Sequence, residues 1–338
     1  MKSKKQLISG SAAACAMLII ILDTKTAISG AQDGLNLCIQ AVIPSLFPFL
    51  IFSGIIISCI QGSKSRFLRP LGRLCKIPQG SEPLLIIGLI AGYPVGAQLI
   101  CESFKKGSIS EKTAKRMLGF CNNAGPAFLF GMIAPQFSNP AIPWVLWLIH
   151  LVTAILVGCI MPGRQSEQCC ISDSSTLTLV QSLQITVRTM AGICGWVILF
   201  RIILAFLNRW LFWMFDTDMQ VLLSGLLELS NGCIRLKDVA KEGVRFLLAS
   251  FMLAAGGLCV GMQTASVTQP LGTGLYFPGK TLQCMLAVSL SCFVEPLLFS
   301  AQEALLLSPA AFYMLITATA IHVYFLRKRT GIYDRITV

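Results

Sequence analysis

Four clusters of polar and helix-breaking residues interrupt the apolar stretches of this chain, and they are its best candidates for chemistry. Glycine and proline free backbone N–H and C=O groups, which inside hydrocarbon must be satisfied by a cavity, water or a ligand. The clusters therefore predict a binding site for a small solute rather than a catalytic centre. Their candidate binding residues are Gly92, Tyr93, Pro94, Gly96, Asn122, Asn123, Gly125, Glu228, Asn231, Gly232, Gly256, Gly257, Gln263, Thr264 and Ser266.

The amides and hydroxyls in these clusters have two interpretations. Asn122, Asn123 and Gln263 can bind a solute, with half-helix N-termini adding partial positive charge for an anion. The same groups can instead hydrogen-bond neighbouring helices. Both interpretations stay open at this point.

Ionisable residues inside apolar stretches form a second candidate set, because a charge within a span is costly and usually functional. Arg188 and Arg201 lie 13 positions apart, which is about 20 Å along a helix, so they cannot share one small ligand. We predict that Arg188 binds the solute, since a guanidinium fork suits a carboxylate. The alternative is that Arg188 pairs with Glu295 or lies at the lipid interface. Arg201 either pairs with Glu228 or reaches the outer interface.

Composition shows what kind of scaffold must hold these residues. The 338 residues are 55% hydrophobic and 12% charged, with a mean hydropathy of +0.73, which excludes a soluble multidomain enzyme. The net charge of +12 comes from bases clustered between apolar runs, so nucleic-acid binding is not expected. The 14 cysteines lack metal-ligand spacing and predict buried thiols, with no metal and no cofactor.

Six uncharged spans and two apolar stretches with one or two embedded charges predict about eight transmembrane helices, since a bilayer core takes about 20 apolar residues. Two further apolar stretches are interrupted, at residues 92–96 and around Glu228, and are predicted as re-entrant hairpins. The predicted spans are residues 7–22, 35–60, 117–135, 142–161, 180–208, 246–268, 281–300 and 309–326.

Charge asymmetry predicts that the two hairpins enter from opposite faces. Residues 62–116 carry ten bases and three acids, whereas residues 209–245 carry five of each. Basic loops stay in the cytoplasm, so the first hairpin and both termini are placed there. Each hairpin is followed by a Phe-x-x-x-Ala-Gly break, at Gly125 and Gly256. This predicts an all-α polytopic membrane protein built as an inverted repeat, with a solute site near the midplane.

The inverted repeat divides the chain into five segments. They are residues 1–33, an N-terminal span and external loop; 34–163, the first repeat; 164–178, a loop; 179–302, the second, inverted repeat; and 303–338, a C-terminal span and basic tail.

Several of these motifs resemble the sporulation integral membrane proteins that carry a nucleoside-recognition (gate) domain. The resemblance extends over roughly residues 30–300 and implies an architecture related to concentrative nucleoside transporters. The stage V sporulation member of that family is similar to a dipicolinate carrier. The motifs are Pro44-Ser-Leu-Phe-Pro-Phe49, Gly92-Tyr-Pro-Val-Gly-Ala97, residues 105–112, Asn122-Asn123-x-x-Pro126 and Leu227-Glu-Leu-Ser-Asn-Gly232.

The resemblance implies a non-enzymatic carrier of an anionic aromatic dicarboxylate such as dipicolinate during spore formation. The alternatives are a nucleoside transporter and a non-transporting sporulation scaffold. The expected location is the bacterial cell membrane or the outer forespore membrane. The expected partners are the solute and the lipid bilayer, while a coupling ion and a homo-oligomer stay open.

Overall fold

The computed structural model describes residues 4–60, 66–163, 177–269, 271–300 and 315–326. Within these residues the regular elements are helices, with no strand. The helices are α1 (Lys4–Leu22), α2 (Thr24–Leu37), α3 (Ile43–Ile60), α4 (Arg69–Leu74), α5 (Glu82–Ile90), α6 (Val95–Lys105), α7 (Glu111–Met117), α8 (Pro126–Phe128), α9 (Ala141–Ile160), α10 (Leu179–Trp210), α11 (Thr217–Leu227), α12 (Leu229–Arg235), α13 (Glu242–Ala255), α14 (Gly257–Val267), α15 (Tyr276–Leu298) and α16 (Leu315–Leu326).

Five helical segments of the described chain are long and apolar enough to cross a bilayer, whose core is about 30 Å thick. Their outer faces expose large apolar side chains, such as Phe52, Trp144 and Leu297, as lipid contact requires. The chain is therefore an all-α polytopic membrane protein. The segments are Thr24–Ile56, Ala141–Ile160, Leu179–Trp210, Glu242–Val267 and Tyr276–Leu298.

Two predicted elements differ from the structure. The predicted span 117–135 is not one helix, because α7 ends at Met117 and helix resumes only at Pro126. It then continues through a π-helical turn, Leu129–Ile133, and a 3-10 turn, Ala134–Gln136. The predicted external loop before residue 34 is helical from Thr24, and a π-helical turn joins α2 to α3.

Other boundaries fall partly outside the described residues. The loop assigned to residues 164–178 is described only from residue 177, and the last predicted span only from residue 315. The division into repeats is not tested by these residues alone and stays a prediction.

Helix α9 shows how the two helical hairpins are oriented. Near its C-terminal end, Lys76 Nζ donates to the Cys159 carbonyl (2.9 Å) and Arg116 Nη2 to the Gly158 carbonyl (2.6 Å). These bases flank the open end of the α5–α6 hairpin. At the N-terminal end of α9, Arg245 Nη1 donates to the Gln136 carbonyl (2.7 Å), beside the open end of the α11–α12 hairpin. Since α9 has 20 residues, about 30 Å, the two hairpins open at opposite ends of the bundle.

Each hairpin is followed in sequence by a broken helix. The α5–α6 hairpin precedes α7 and α8, which are separated by the non-helical residues 118–125. The α11–α12 hairpin precedes α13 and α14, which are separated by a left-handed residue, Gly256 (φ 71°). We call the two breaks, residues 118–125 and 256–257, the first and second helix breaks. The molecule thus has four irregular segments, the two hairpin tips and the two helix breaks, and their residues are largely buried.

Candidate functional site

The tip of the first hairpin lies against the first helix break. Gly92, at this tip, has a φ of 85°, which only glycine adopts without strain. A Cβ atom at Gly92 would lie 3.3 Å from the amide nitrogen of Gly125. The tip backbone and the break backbone are therefore in direct contact.

The tip of the second hairpin lies against the second helix break in the same way. A Cβ atom at Gly257, where φ is 77°, would lie 2.8 Å from the Gly225 carbonyl oxygen and 3.5 Å from the Leu229 nitrogen. Glu228 forms this tip between α11 and α12. Its carboxylate accepts hydrogen bonds from the backbone N–H groups of Ser230 (3.0 Å) and Asn231 (2.6 Å). The charge thus caps the N-terminus of α12.

Two hydrogen bonds join the halves of the molecule at these segments. The hydroxyl of Tyr93, in the first tip, donates to the Leu253 carbonyl just before the second break (3.1 Å). The Asn122 amide, in the first break, donates to the Thr264 hydroxyl on α14 (2.9 Å). Both tips and both breaks consequently meet at one place in the interior.

A partly open cavity of about 30 Å³ lies at this meeting point. Most of its wall is apolar, and its polar groups come from both hairpin tips and from α14. An apolar wall with a few convergent polar groups is the composition of a solute site, although the cavity in this conformation has room for no more than a very small group. The lining residues are Val42, Leu46, Gly92, Tyr93, Gly125, Phe128, Ile193, Val197, Glu228, Leu229, Ser230, Val260 and Gln263.

Five of the sixteen predicted binding residues line this cavity: Gly92, Tyr93, Gly125, Glu228 and Gln263. Nine others are buried behind the wall and hold the tips and breaks in place. These are Pro94, Gly96, Asn122, Asn123, Asn231, Gly232, Gly256, Gly257 and Thr264.

The remaining two predicted residues, Arg188 and Ser266, lie on the outer surface of the bundle. Arg188 is exposed on α10 and is not part of the cavity wall. Ser266 is exposed too, and its hydroxyl donates to the Gln263 carbonyl of its own helix (2.7 Å). The structure places both outside the cavity, and solute binding by either stays a prediction.

The second ionisable candidate, Arg201, supports the second hairpin. It forms an ion pair with Asp33 on α2 (3.3 Å) and donates a short hydrogen bond to the Asn231 side chain. Within the described residues it forms no ion pair with Glu228, one of the two predicted alternatives. Arg201 therefore links α12 to the outer helices α2 and α10.

Two further buried residues belong to the site, and neither was among the predicted binding residues. His150, on α9, accepts a hydrogen bond from the Ala124 N–H in the first break through Nε2 (3.2 Å). Lys280, one turn into α15, is only 3% exposed and contacts Tyr93 and Asn123. The sequence does distinguish Lys280, because it is the one charged residue between Arg245 and Glu295. A cytoplasmic loop at this position would normally carry several bases, so a single lysine is not typical of a loop.

Two buried polar atoms near the breaks have no hydrogen-bond partner: the Asn122 side-chain oxygen and the Tyr276 hydroxyl. Unsatisfied buried groups cost free energy and suit a place where water or a ligand binds. Among the described residues no three His, Cys, Asp or Glu side chains are grouped as a metal site.

Comparison with known proteins gives one informative similarity. No family model matches the chain, and no solved structure matches it. The chain is similar to the sporulation integral membrane protein YlbJ of Bacillus subtilis (strain 168), with 29% identity over 157 residues. The matched residues are 44% of this chain and 38% of the relative, so the chain spans well under half of that protein. The similarity supports a relation to sporulation membrane proteins, while the nucleoside-recognition domain stays a prediction.

Proposed function

We propose that this protein is a membrane carrier that binds a small solute between its hairpin tips and releases it unchanged, without a catalytic step. The observation that carries the proposal is the convergence of two hairpin tips and two helix breaks on one cavity. Irregular backbone at membrane depth is tolerated where it lines a cavity. Paired broken elements around a central site are the usual construction of alternating-access carriers.

Opposed hairpins supply a mechanism for alternating access. The first hairpin opens toward the C-terminal end of α9 and the second toward its N-terminal end. Withdrawal of one tip would expose the cavity to one side while the other tip keeps it closed. The similarity to a sporulation membrane protein supports a role in spore formation.

The charges at the cavity guide the choice of solute. Arg188, the residue predicted to bind the carboxylates of a dicarboxylate, lies outside the cavity wall. The wall instead contains the Glu228 carboxylate, which would repel an anion at close range. Glu228, Gln263 and Tyr93 together suit an uncharged solute with several hydroxyl or N–H donors. We therefore favour a nucleoside over dipicolinate.

Uptake by the full chain in proteoliposomes tests the proposal. We expect saturable uptake of uridine and little uptake of dipicolinate. Transport of dipicolinate without uridine would replace the nucleoside proposal with the dicarboxylate one. Failure to bind or transport either solute, by protein shown to be folded, would contradict the carrier proposal and favour a scaffold.

Accessibility labelling tests the opposed hairpins independently of any solute. Lys106 and Lys237 are exposed lysines near the open ends of the first and second hairpins. In a cysteine-depleted background, Lys106→Cys should react from the cytoplasmic side and Lys237→Cys from the other side. Reaction of both from one side would contradict the inverted arrangement.

A further inference from the structure

A buried lysine lies behind the cavity wall, and the proposed solute site does not account for it. Lys280 is 3% exposed in the first turns of α15. Burying an ammonium group costs several kcal/mol unless other groups replace its hydration. Its surroundings should therefore reveal how the charge is stabilised.

Three neutral oxygen atoms surround the ammonium group. Lys280 Nζ donates to the Gln283 side-chain oxygen (2.8 Å), the Asn123 side-chain oxygen (3.0 Å) and the Tyr93 hydroxyl oxygen (3.3 Å). An ammonium has three N–H donors, so these acceptors satisfy all of them. We call these three acceptors the oxygen cage.

Two aromatic rings complete the surroundings. Nζ lies 5.1 Å from the centre of the Tyr93 ring and 6.0 Å from that of Tyr276. Ring faces attract cations electrostatically within about 6 Å. In the part of the chain that the structure describes, Lys280 forms no ion pair with a carboxylate. Neutral oxygens and ring faces are a combination that binds a monovalent cation without neutralising it.

The cage brings together parts of the chain that are distant in sequence. Tyr93 belongs to the first hairpin tip, Asn123 to the first helix break and Gln283 to α15. Tyr93 also forms part of the cavity wall. The ammonium therefore links the first tip to the first break through its hydrogen bonds to Tyr93 and Asn123.

We propose that the oxygen cage is a monovalent-cation site that the Lys280 ammonium occupies, and that this internal cation holds the first hairpin tip closed. Lys280 is then a positioning residue. It acts on the solute through Tyr93. The holding of the tip does not depend on any solute, whereas its effect on transport rests on the proposed function.

Chemical rescue can separate this role from simple packing. Lys280→Ala removes three carbons and the nitrogen, so propylammonium has the right size to fill the space and restore the cation. Lys280→Met is the matched control, because its side chain fills most of the space of the lysine side chain but carries no charge. Thermal stability of each full-length variant in detergent is measured without solute, in sodium chloride and in propylammonium chloride at equal ionic strength.

We expect both variants to melt at least about 5 °C below the native chain, a shift that corresponds to losing a buried polar network. Propylammonium should recover at least half of that shift for Lys280→Ala, saturably, and should leave Lys280→Met unchanged. Lys106→Met, which removes an exposed charge, should melt like the native chain.

Two outcomes would overturn the proposal. One is native stability of Lys280→Met, which would make the charge irrelevant. The other is an equal response of the Ala and Met variants to propylammonium. If either variant fails to fold, Tyr93→Phe and Gln283→Leu remove cage acceptors one at a time, and native stability of both would likewise contradict the cage. If propylammonium restores the stability of Lys280→Ala but the native chain takes up no uridine, the cation site is retained and the carrier proposal is rejected.

Discussion

Each hairpin tip packs against the helix break that follows it, yet a charge of opposite sign stabilises each. At the first tip the charge is the Lys280 ammonium, which α15 supplies from far along the chain. At the second tip it is the Glu228 carboxylate, which is held by the first backbone amides of its own helix α12. The first charge ties its tip to the rest of the bundle, while the second belongs to the hairpin itself.

Backbone packing differs between the two hairpins in degree. Gly88 and Gly96, in the two arms of the first hairpin, both approach the Cys121 carbonyl oxygen in the helix break. In the second hairpin, Gly225 and Gly232 approach each other most closely across the two arms, and the Gly225 carbonyl also contacts the second break at Gly257. Both hairpins are therefore packed on the break that follows them, and the arms of the second are packed more tightly on each other. We therefore expect the second hairpin to move as a unit when its tip withdraws.

The largest effect is expected where the first hairpin touches the break. In Gly96→Ala the added Cβ would lie 2.1 Å from the Cys121 carbonyl oxygen, and backbone atoms cannot give way cheaply. We expect a loss of stability on the order of 3 kcal/mol, together with loss of transport. Melting in detergent and uptake in proteoliposomes measure the two.

Gly195→Ala is the control for this substitution. Gly195 lies in α10 with no atom within 4 Å of the position of its Cβ, so alanine should be neutral or slightly stabilising. Native melting of Gly96→Ala would mean that the first hairpin is not packed on the break as described.

The next effect concerns the charge at the second tip. Glu228→Gln removes the carboxylate from the cavity wall, and we expect uridine affinity to fall by about 10-fold to 100-fold, since a hydrogen bond to a charged group contributes about 1.5–3 kcal/mol. Tighter dipicolinate binding by this variant would show that the carboxylate selects against anions. Binding measured by calorimetry gives both affinities.

Glu82→Gln is the matched control in the first hairpin. Glu82 is buried at the start of α5, pairs with Arg69 (2.8 Å) and does not line the cavity. We expect this variant to melt at a lower temperature and to bind uridine normally. A similar loss of affinity in both variants would show that the effect of Glu228 is structural.

A smaller effect should report the link between the two helix breaks. Asn122→Ala and Thr264→Val each remove one side of the hydrogen bond that joins them. The double-mutant cycle should give a coupling of about 1 kcal/mol in stability. Ser266→Ala combined with Asn122→Ala should give none, because Ser266 bonds only within its own helix. Additive effects at Asn122 and Thr264 would mean that the breaks are not coupled.

Sequence patterns predicted the scaffold better than the site. Apolar runs predicted the long helices, because a helix that crosses a bilayer needs about 20 apolar residues. The Gly-Tyr-Pro and Leu-Glu-Leu motifs predicted the positions of the two hairpin tips. Asn122 and Asn123 were found as interior polar groups, but their partners Thr264 and Lys280 are set by tertiary packing. Lys280 was missed because a lone base between two apolar runs was assigned to a loop. The helix that contains it begins four residues earlier, at Tyr276.

Arg188 gives the smallest expected effect and separates the two ideas about the solute. Its guanidinium group is exposed on α10, outside the cavity wall, so Arg188→Gln should change uridine affinity by less than about twofold, within the range of a surface substitution. Lys280→Met, by contrast, should weaken uridine binding because it frees Tyr93. Arg188→Gln could instead abolish binding of dipicolinate in a protein that does not bind uridine. The solute would then be an anion bound on the α10 side, and Glu228 would serve only as a helix cap.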